Sequence, residues 1–441
     1  MTRRVLIISP HFPPVNAADM QRVRMLLPFF LENGWQAEVL AVEPAQVSSP
    51  LDPWLVEGLP ADVLVNRVKA LGLNWSKVPG LGTLGLRALR ALGNAGDNLL
   101  ANGKFDLVYF STTVFDVLQL GPRWKLRFGV PFVVDYQDPW VNDYYSKHSG
   151  VVPPGGRLKY AVISAINRRT EPRVLRHCIG ITSVSPAYPA QLDARYSWFQ
   201  KVPRLVQPFP GTRRDFERVV NSPGRNHFFN ASDGQIHWVY IGVVVAGMLP
   251  ALQALFKAIK TKMPGEELSR LRMYFIGTSY APKGQAAPKV LSLAQAYGLT
   301  DQVVEQCDRI PYVDTLRCLT EADALLAIGS DDPGYTASKI YPYLLARKPL
   351  LAIYHQESSI ISLIRAVGGA VCLPMSMPVD EDALAAEIAQ VWLSDRQYAQ
   401  TAPLNAAAFA PFTDQGCAKE LCHFFDQCLA HEPSALAQLT I

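Results

Sequence analysis

The sequence lacks paired cysteines, blocks of like charge and any uninterrupted hydrophobic run of membrane-spanning length. Its seven cysteines are odd in number and include no Cys-x-x-Cys pair, which favours reduced thiols in a cytoplasmic protein. A net charge of +4 over 441 residues, without a Lys/Arg block, argues against nucleic acid as the main ligand. Hydrophobic residues make up 49% and charged residues 18% of the chain, which is enough apolar material for large cores and excludes disorder.

Two segments have some features of targeting or membrane signals. The N-terminus, "MTRRVLIISPHFPP", places basic residues before an apolar run that is short and broken by prolines, which fits a first β-strand better than a signal peptide. Residues 237–256 have nearly the length of a membrane span, but they contain two glycines, a proline and a glutamine. We therefore expect a strand at 238–241, a glycine loop and an amphipathic helix there.

Apolar strands alternate with helical segments along the whole chain. The longest predicted helices span residues 18–32, 84–100, 157–176 and 414–429. The predicted strands are 5–9, 37–42, 63–68, 107–111, 131–136, 179–183, 238–241, 273–276, 303–305, 324–328, 349–354 and 370–373. Wholly apolar strands separated by helices indicate an α/β fold with parallel sheets covered on both faces.

The length predicts two or three domains. Residues 207–234 interrupt the alternation with Pro, Gly, Asn and charged residues, which is typical of a linker. We expect a Rossmann-like domain at 1–206, a second one at 235–410, and a C-terminal helical segment at 411–441 that packs back on the first. Ligands of such folds bind outside the carboxyl ends of the strands, here in a crevice between the two domains.

Residues 330–353, "SDDPGYTASKIYPYLLARKPLLAI", predict an acidic loop, a short helix and a buried strand. Pro342 is acceptable in the first turn of a helix, where backbone N–H groups have no internal partner. It therefore predicts a helix that begins within residues 338–340, with Ser338 as a candidate N-cap. Lys339 then lies at the positive end of a short helix, where an anion is stabilised.

Segments in their order along the chain resemble family 4 glycosyltransferases of the GT-B fold. They are "RRVLIISPHFPPVNAADMQRVRMLLPFFLENGWQAEVLAVEP", "CIGITSVSPAYPAQL", "IHWVYIGVVVAG", "ADALLAIGSDD" and "SKIYPYLLARKPLLAI". "PFVVDYQDPW" is similar to the Asp-x-Arg-Asp-Pro-Trp segment of a bacterial branch that builds surface polysaccharides. The resemblance spans nearly the whole chain. It implies two Rossmann-like domains, with the acceptor on the first and a nucleotide-sugar on the second, and transfer with retention of configuration without a required metal or other cofactor.

The resemblance implies a donor site in the second domain. Gly242 and Gly247 permit close approach of the backbone to a diphosphate, and Lys339 adds a charge against the phosphates. Alternatively, the glycines only close a strand-to-helix turn and Lys339 is solvated. Arg309 and Tyr312 follow the strand at which the family contacts the base, although a structural role for Tyr312 is open. The full predicted donor set is Gly242, Gly247, Gly277, Arg309, Tyr312, Asp331, Asp332, Ser338 and Lys339.

The chain departs from the family at positions that usually carry charge. The two glutamates of the family fall on Gly334 and Pro342, the glycine loop and its helix lack the usual basic pair, and the Arg of Asp-x-Arg-Asp is Gln137. Asp331 and Asp332 are the expected substitutes, since either carboxylate can accept hydrogen bonds from vicinal hydroxyls. Their alternative role is to cap the turn that follows them.

Three residues that follow strands of the first domain are the predicted catalytic residues. Asp135 and Asp138 are expected to face the crevice and orient the acceptor hydroxyl, with capping of the next segment as the alternative for Asp138. His11 is expected to form a hydrogen bond with the acceptor or the transferred sugar. In a retaining front-face transfer the departing phosphate takes the acceptor proton, and the protein mainly stabilises charge on the leaving group.

Residues 140–177 are aromatic, then basic and apolar, which predicts peripheral contact with the inner face of the cytoplasmic membrane and a lipid-linked acceptor. In the alternative, this segment is an ordinary helix, and its side chains Leu158, Val162, Ala165 and Ile166 face the core of the domain. The predicted function is transfer of a sugar from a nucleotide-sugar to a glycan or lipid-linked saccharide in polysaccharide or glycoconjugate biosynthesis. The alternative is a non-catalytic GT-B scaffold subunit of a glycosyltransferase complex, which the missing glutamates favour. An epimerase of the same fold is less favoured, because its histidine and acidic clusters are not visible.

Overall fold

The computed structural model describes residues 2–78, 80–141, 156–281, 284–335 and 338–436. The chain forms two compact units, the first comprising Met1–Phe209 with Asp414–Ile441 and the second Pro210–Thr413. No helix in these described ranges combines the length and the hydropathy that a bilayer crossing requires.

The first unit is built on a seven-stranded parallel sheet with strand order β3-β2-β1-β4-β5-β6-β7. The strands are β1 Arg3–Ile8, β2 Trp35–Val42, β3 Leu64–Val68, β4 Leu107–Ser111, β5 Phe132–Tyr136, β6 Gly180–Ser183 and β7 Arg204–Val206. The helices are α1 Gln21–Leu26, α2 Leu84–Asn102, α3 Leu120–Phe128, α4 Arg157–Leu175 and α5 Ala187–Arg195. Short 3₁₀ helices include Ala18–Met20, Leu27–Phe29, Leu31–Asn33, Leu73–Lys77 and Phe115–Gln119. The order reverses between β1 and β4, which is where open α/β sheets bind ligands.

The predicted continuous helix at 18–32 is wrong. This stretch consists of α1 flanked by 3₁₀ turns, and it ends at Gly34, which adopts the left-handed conformation with φ 80°. Pro28 lies at the break after α1, because it has no backbone N–H to continue the helical hydrogen bonds. The break limits α1 to six residues.

The second unit is built on a six-stranded parallel sheet with strand order β10-β9-β8-β11-β12-β13. The strands are β8 Ile236–Ile241, β9 Leu271–Ile276, β10 Val303–Gln306, β11 Ala324–Ile328, β12 Leu350–His355 and β13 Val371–Met375. The helices are α6 Arg213–Asn221, α7 Leu249–Lys262, α8 Gly265–Arg270, α9 Lys289–Ala296, α10 Tyr312–Glu321, α11 Ile340–Leu345, α12 Ser359–Val367, α13 Glu381–Ile388 and α14 Ala406–Phe409. The membrane-like stretch 237–256 forms β8, a loop and α7, and α6 lies within the stretch interpreted as a linker.

A last helix, α15 Asp414–Leu436, belongs to the first unit. Helices α2 to α5 pack on one face of the first sheet, and α1 and α15 pack on the other. Phe425 is fully buried and packs edge-on against Trp35 and Tyr109. Cys417 and Cys428 are buried in the same core, so they serve packing.

Candidate functional site

A buried ion pair lies under the carboxyl edge of the first sheet. Asp135, the fourth residue of β5, is fully buried, and its Oδ2 accepts hydrogen bonds from Arg22 Nε at 2.9 Å and from Gln137 Nε2 at 2.7 Å. Ser111 and Thr182 donate to the same carboxylate from the neighbouring strands β4 and β6. The expectation that Asp135 faces the acceptor is therefore corrected. Its oxygens are occupied by donors inside the unit, so its role is to hold three strands and α1 together.

Arg22 is the cation of this pair and was missed by the sequence interpretation. It is fully buried in α1, and it also donates to the side-chain and backbone oxygens of Gln207, at 3.1 and 2.7 Å. Burial alone would lower the pKa of Arg22, but the adjacent Asp135 raises it above its ordinary value, so the guanidinium keeps its charge. The sequence carries no signal for this pair, because the two residues are far apart along the chain.

A second polar cluster lies at the point where the strand order reverses. His11 follows β1, and its Nδ1 lies 2.9 Å from Oδ1 of Asp19. Asp19 is almost completely buried, and it also accepts hydrogen bonds from the hydroxyl of Thr112 and the backbone N–H of Thr113, after β4. The reversal brings these loops together because β1 and β4 are adjacent strands.

Asp19 fixes the tautomer of His11. Burial alone would raise the pKa of Asp19, but the hydrogen bond and charge of His11 and the donors of Thr113 and Thr112 bring it below its ordinary value. An ionised carboxylate only accepts hydrogen bonds, so Nδ1 of His11 must donate. When the ring is neutral, Nε2 is then an acceptor for a hydroxyl group. Asp19 itself was not among the predicted residues, although it lies in the loop after β1 that the sequence singled out.

Asp138 lies near this cluster with an exposed side chain. Partial desolvation and the nearby charge of Asp19 raise its pKa above the ordinary value of an aspartate. The structure therefore brings His11 and Asp138 to one edge of the first sheet, whereas Asp135 lies beneath them.

In the second unit, Lys339 reaches the glycine loop after β8. Its Nζ donates to Tyr240 Oη at 2.7 Å and lies 3.9 Å from the centre of the Tyr240 ring. A Cβ built on Gly242 would lie 3.3 Å from Lys339 Nζ, and Gly242 has φ 135°, a conformation that favours glycine. Gly242 and Lys339 thus lie together where the order of this sheet reverses, between β8 and β11.

Lys339 is a partly buried cation that forms no ion pair with any carboxylate in the described ranges. Burial lowers its pKa to about 7. Tyr343, one helical turn further along α11, bonds through its hydroxyl to both the N–H and the carbonyl of Ile241 at the end of β8. Lys339 and Tyr343 are four residues apart and so lie on one face of the helix. This spacing in the sequence could have predicted that Tyr343 contacts the same loop as Lys339.

Gly247 and Asp331 are in direct contact. The backbone N–H of Asp331 donates to the carbonyl of Gly247 at 3.1 Å, and the carboxylate of Asp331 lies against the Cα of Gly247. The side chain of Asp331 is exposed. The predicted pair is therefore brought together, and the absence of a side chain at Gly247 allows the acidic loop to approach the start of α7.

Gly247→Ala is expected to lower the melting temperature by a few degrees. The new Cβ would overlap the carboxylate of Asp331, which must leave its rotamer at a cost of about 0.5–1.5 kcal/mol. Asp331→Ala in the same chain should restore the melting temperature. Gly265→Ala is the matched control, because a Cβ at Gly265 meets no atom within 4 Å. Equal melting temperatures for Gly247→Ala and the control would contradict the contact.

Asp332 and Ser338 have different roles from those predicted for the donor site. Asp332 Oδ1 accepts the backbone N–H of Gly334 at 2.8 Å, so it caps the turn, the alternative considered from the sequence. Ser338 is not the N-cap of α11. Lys339 occupies that position with helical φ and ψ. Pro342 lies in the first turn of a helix that begins at Ile340, within the predicted 338–340, and Lys339 immediately precedes this turn.

Gly277 and Arg309 lie after β9 and β10. Gly277 has φ 72° and donates its N–H to the carbonyl of Gln306 at 2.7 Å. Arg309 stacks over the ring of Tyr280, which is 74% exposed, at 5.3 Å. Tyr312 is the first residue of α10 and is half-buried. An exposed tyrosine under a guanidinium offers a flat surface for a planar ring, and Tyr280 was not predicted.

No protein-family model and no curated protein matches the sequence. Several solved structures match nearly its whole length. The structure of Anabaena HepE in complex with UDP and glucose is 14% identical, with 98% of this chain and 100% of that chain covered and a TM-score of 0.53. A glycosyltransferase from Rickettsia africae is 11% identical, with 97% and 99% covered and a TM-score of 0.58. WaaG, a glycosyltransferase involved in lipopolysaccharide biosynthesis, is 13% identical, with 96% and 98% covered and a TM-score of 0.52. At these identities the likeness shows the fold alone, and the chain has the α/β GT-B-like fold that its sequence predicts.

Proposed function

We propose that this protein is a glycosyltransferase that moves a sugar from a nucleotide-sugar to a hydroxyl of a glycan or lipid-linked saccharide. The observation that carries the proposal is Lys339, a partly buried cation with no carboxylate partner in the described ranges, beside the glycine loop after β8. A cation kept from water without a counter-charge is costly unless it meets an anion. A diphosphate supplies that anion. HepE, which shares the fold, has been crystallised with UDP-glucose.

The donor contacts divide among three features of the second unit. Lys339 and the backbone at Gly242 meet the diphosphate, and Asp331 accepts hydrogen bonds from hydroxyls of the sugar or ribose. Arg309 and Tyr280 stack on the base. Asp331 replaces the glutamates that the resemblance would place at Gly334 and Pro342. A single carboxylate in a loop, instead of two on a helix, supports a donor specificity different from that of the family.

The acceptor contacts lie in the first unit. His11 Nε2 accepts a hydrogen bond from a hydroxyl of the acceptor or of the transferred sugar other than the attacking one, while Asp19 holds the ring in the required tautomer. Asp138, whose raised pKa keeps a proton to higher pH, donates to or accepts from a second hydroxyl of the acceptor. We propose retention of configuration and no metal, as the resemblance implies.

The decisive measurement is thermal unfolding of the full chain with UDP, GDP, ADP and dTDP and their glucose conjugates. A ligand at 100 times its Kd adds about 2.7 kcal/mol to the free energy of unfolding of a unit that binds it. Lys339→Met should weaken binding by about 10–100-fold, because a charge-assisted hydrogen bond contributes about 1.5–3 kcal/mol. Lys262→Met, an exposed lysine on α7, should leave the shift unchanged. The absence of a shift with every nucleotide at millimolar concentration would reject the donor site and favour the scaffold alternative.

The pH dependence provides an independent check on Lys339. Because burial lowers its pKa to about 7 from an ordinary value of 10.5, the unfolded chain binds a proton that the folded chain releases between these values. The free energy of unfolding therefore rises with pH across this window, and Lys339 destabilises the folded protein most below pH 7. Without nucleotide, Lys339→Met should melt at a higher temperature than the parent at pH 6, and the difference should narrow towards pH 10. Nucleotide affinity of the parent should fall as pH rises above about 7.

A further inference from the structure

The first unit exposes a loop rich in large apolar side chains. Every residue from 71 to 78 is exposed, and four of them are large and apolar. Leu71 and Leu73 are each 42% exposed, Trp75 is 50% exposed and Val78 is 40% exposed. Tryptophan is usually well buried, and an exposed cluster of such side chains marks an interaction surface. We refer to residues 71–78 as the apolar loop.

Helix α4 carries a second exposed apolar set, on one stripe. Leu158 is 81% exposed, Val162 53% and Ile166 56%, and the stripe continues with Arg169 and Arg173, both exposed. Spacings of four, four, three and four residues place all five on one side of the helix. A surface helix normally turns such a stripe towards the core. The contacts of α4 with the core include Val174 and Leu175, which are buried near the end of the helix.

The two segments lie on the same face of the sheet. Residues of α2 to α5 share one hydrophobic core, which puts these helices on one side. The 3₁₀ helix Leu73–Lys77 in the apolar loop contacts α2, and α2 contacts the 3₁₀ helix Phe115–Gln119, which in turn contacts α4. The apolar loop follows the carboxyl end of β3 and α4 lies between β5 and β6, so a row of contacting elements joins the two segments.

The charge of the two segments has one sign. Residues 69–83 contain no Asp or Glu, and residues 156–177 contain only Glu171, which is buried and paired with Arg195. The basic residues of the two segments whose side chains the structure describes are Lys69, Lys77, Arg157, Arg168, Arg169, Arg173 and Arg176. Arg169 and Arg173 form no ion pair with a carboxylate in the part of the chain that the structure describes. Apolar side chains between cations, with tryptophan among them, suit a bilayer whose headgroups are anionic.

We propose that the apolar loop and the α4 stripe dock this protein on an anionic membrane surface. Leu73, Trp75, Val162 and Ile166 enter the boundary between headgroups and acyl chains, while the lysines and arginines meet the headgroup phosphates. The interaction differs from that predicted from residues 140–177 alone, because half of it comes from the loop after β3. Residues 142–155 lie outside the described residues, and the proposal does not use them. Docking is separate from glycosyl transfer, so its test needs neither donor nor acceptor.

The test is cosedimentation of the full chain with vesicles of phosphatidylcholine alone or mixed equally with phosphatidylglycerol. Binding is expected only to the mixed vesicles and should weaken as sodium chloride is raised. Leu73→Ser with Trp75→Ser, or Val162→Ser with Ile166→Ser, should each lower the partition coefficient at least about tenfold. Arg169→Gln with Arg173→Gln should lower it about tenfold at low salt only. The matched control is Leu31→Ser with Val220→Ser, whose side chains are 60% and 73% exposed but lie elsewhere.

Insertion and folding are measured on the same proteins. The replaced side chains are exposed, so the variants should keep the melting temperature of the parent. Vesicles with brominated acyl chains should quench the tryptophan fluorescence of the parent more than that of the Trp75→Phe variant. Failure of the parent to bind the mixed vesicles would overturn the proposal. Binding by the loop and stripe variants that equals that of the parent would overturn it too. Loss of self-association or of a protein contact in those variants, without vesicle binding, would instead assign the surface to a protein partner.

Discussion

Replacing His11 with alanine is expected to lower kcat by about 10²–10⁴, the range for a positioned group that takes or orients a proton in the transition state. The buried carboxylate of Asp19 holds Nδ1 as the donor, which leaves Nε2 as an acceptor for a substrate hydroxyl. The experiment follows nucleotide release with the donor that the thermal screen identifies. Nucleotide binding should be unchanged, because His11 lies in the first unit and the donor contacts in the second.

Two variants separate this role from a structural one. Asp19→Asn leaves the ring in place but no longer enforces the tautomer, so it should lower kcat and alter the pH profile, while His11→Ala removes the group itself. His423→Ala, an exposed histidine on α15, is the control and should keep full activity. A His11→Ala enzyme within threefold of the parent would remove His11 from the reaction.

The anomeric configuration of the product then shows which group accepts the proton of the attacking hydroxyl. Retention means that the departing phosphate accepts the proton of the attacking hydroxyl, and that Nε2 of His11 binds a different hydroxyl of the acceptor or the transferred sugar. Inversion would mean that Nε2 of His11 is the base, because the attacking hydroxyl and the leaving phosphate are then on opposite sides of the sugar carbon. Nuclear magnetic resonance of the first product formed distinguishes the two.

Arg22→Met is expected to destabilise the first unit by about 3–5 kcal/mol, which corresponds to a fall in melting temperature on the order of 10 °C. The substitution leaves the carboxylate of Asp135 fully buried without its cation, and it removes the donors to Gln207. Differential scanning calorimetry resolves the first unit from the second if they melt separately. The transition of the second unit should not move, because no part of this network belongs to it.

Controls for this prediction use the same chemistry elsewhere. Arg90→Met on α2, where the arginine is exposed, should change the melting temperature little. Arg22→Met combined with Asp135→Leu should recover much of the loss, since a buried ion pair replaced as a pair by apolar groups is often close to neutral. A single Arg22→Met variant that melts with the parent would refute the structural role of the pair and reopen a role for Asp135 with the acceptor.

Local patterns predicted the strands of both sheets, with the exception of the three-residue β7. Apolar runs of strand length separated by helices depend on neighbouring residues only, and parallel sheets follow from them. The helix predicted at 18–32 failed because apolar spacing continues through Pro28 although the backbone hydrogen bonds do not. The cap assigned to Ser338 failed for a related reason. A serine before a proline-containing helix is a good local candidate, but Lys339, whose backbone already has helical φ and ψ, occupies the cap position.

The candidate sites depended on contacts between distant segments. Asp135 and Asp138 look alike in the sequence "DYQDPW", yet one is buried against Arg22 and the other is exposed. Nothing local distinguishes them, because the difference arises from α1, more than a hundred residues earlier. Lys339 was found because its position before a short helix has a local signature. Its partner Tyr240 lies on β8, about a hundred residues earlier, and no local pattern predicted their contact.

The placement of α15 has a consequence for how the protein is made. The first unit contains both the earliest strands and residues from Asp414 onward, while the second unit lies entirely between them in the chain. On the ribosome, at about 5–20 residues per second, the sheet face that receives Phe425 waits roughly 10–40 s after Phe209 before its covering helix is synthesised. The second unit is therefore able to fold first although it begins later. During that interval Trp35 and Tyr109 present an open apolar face to chaperones.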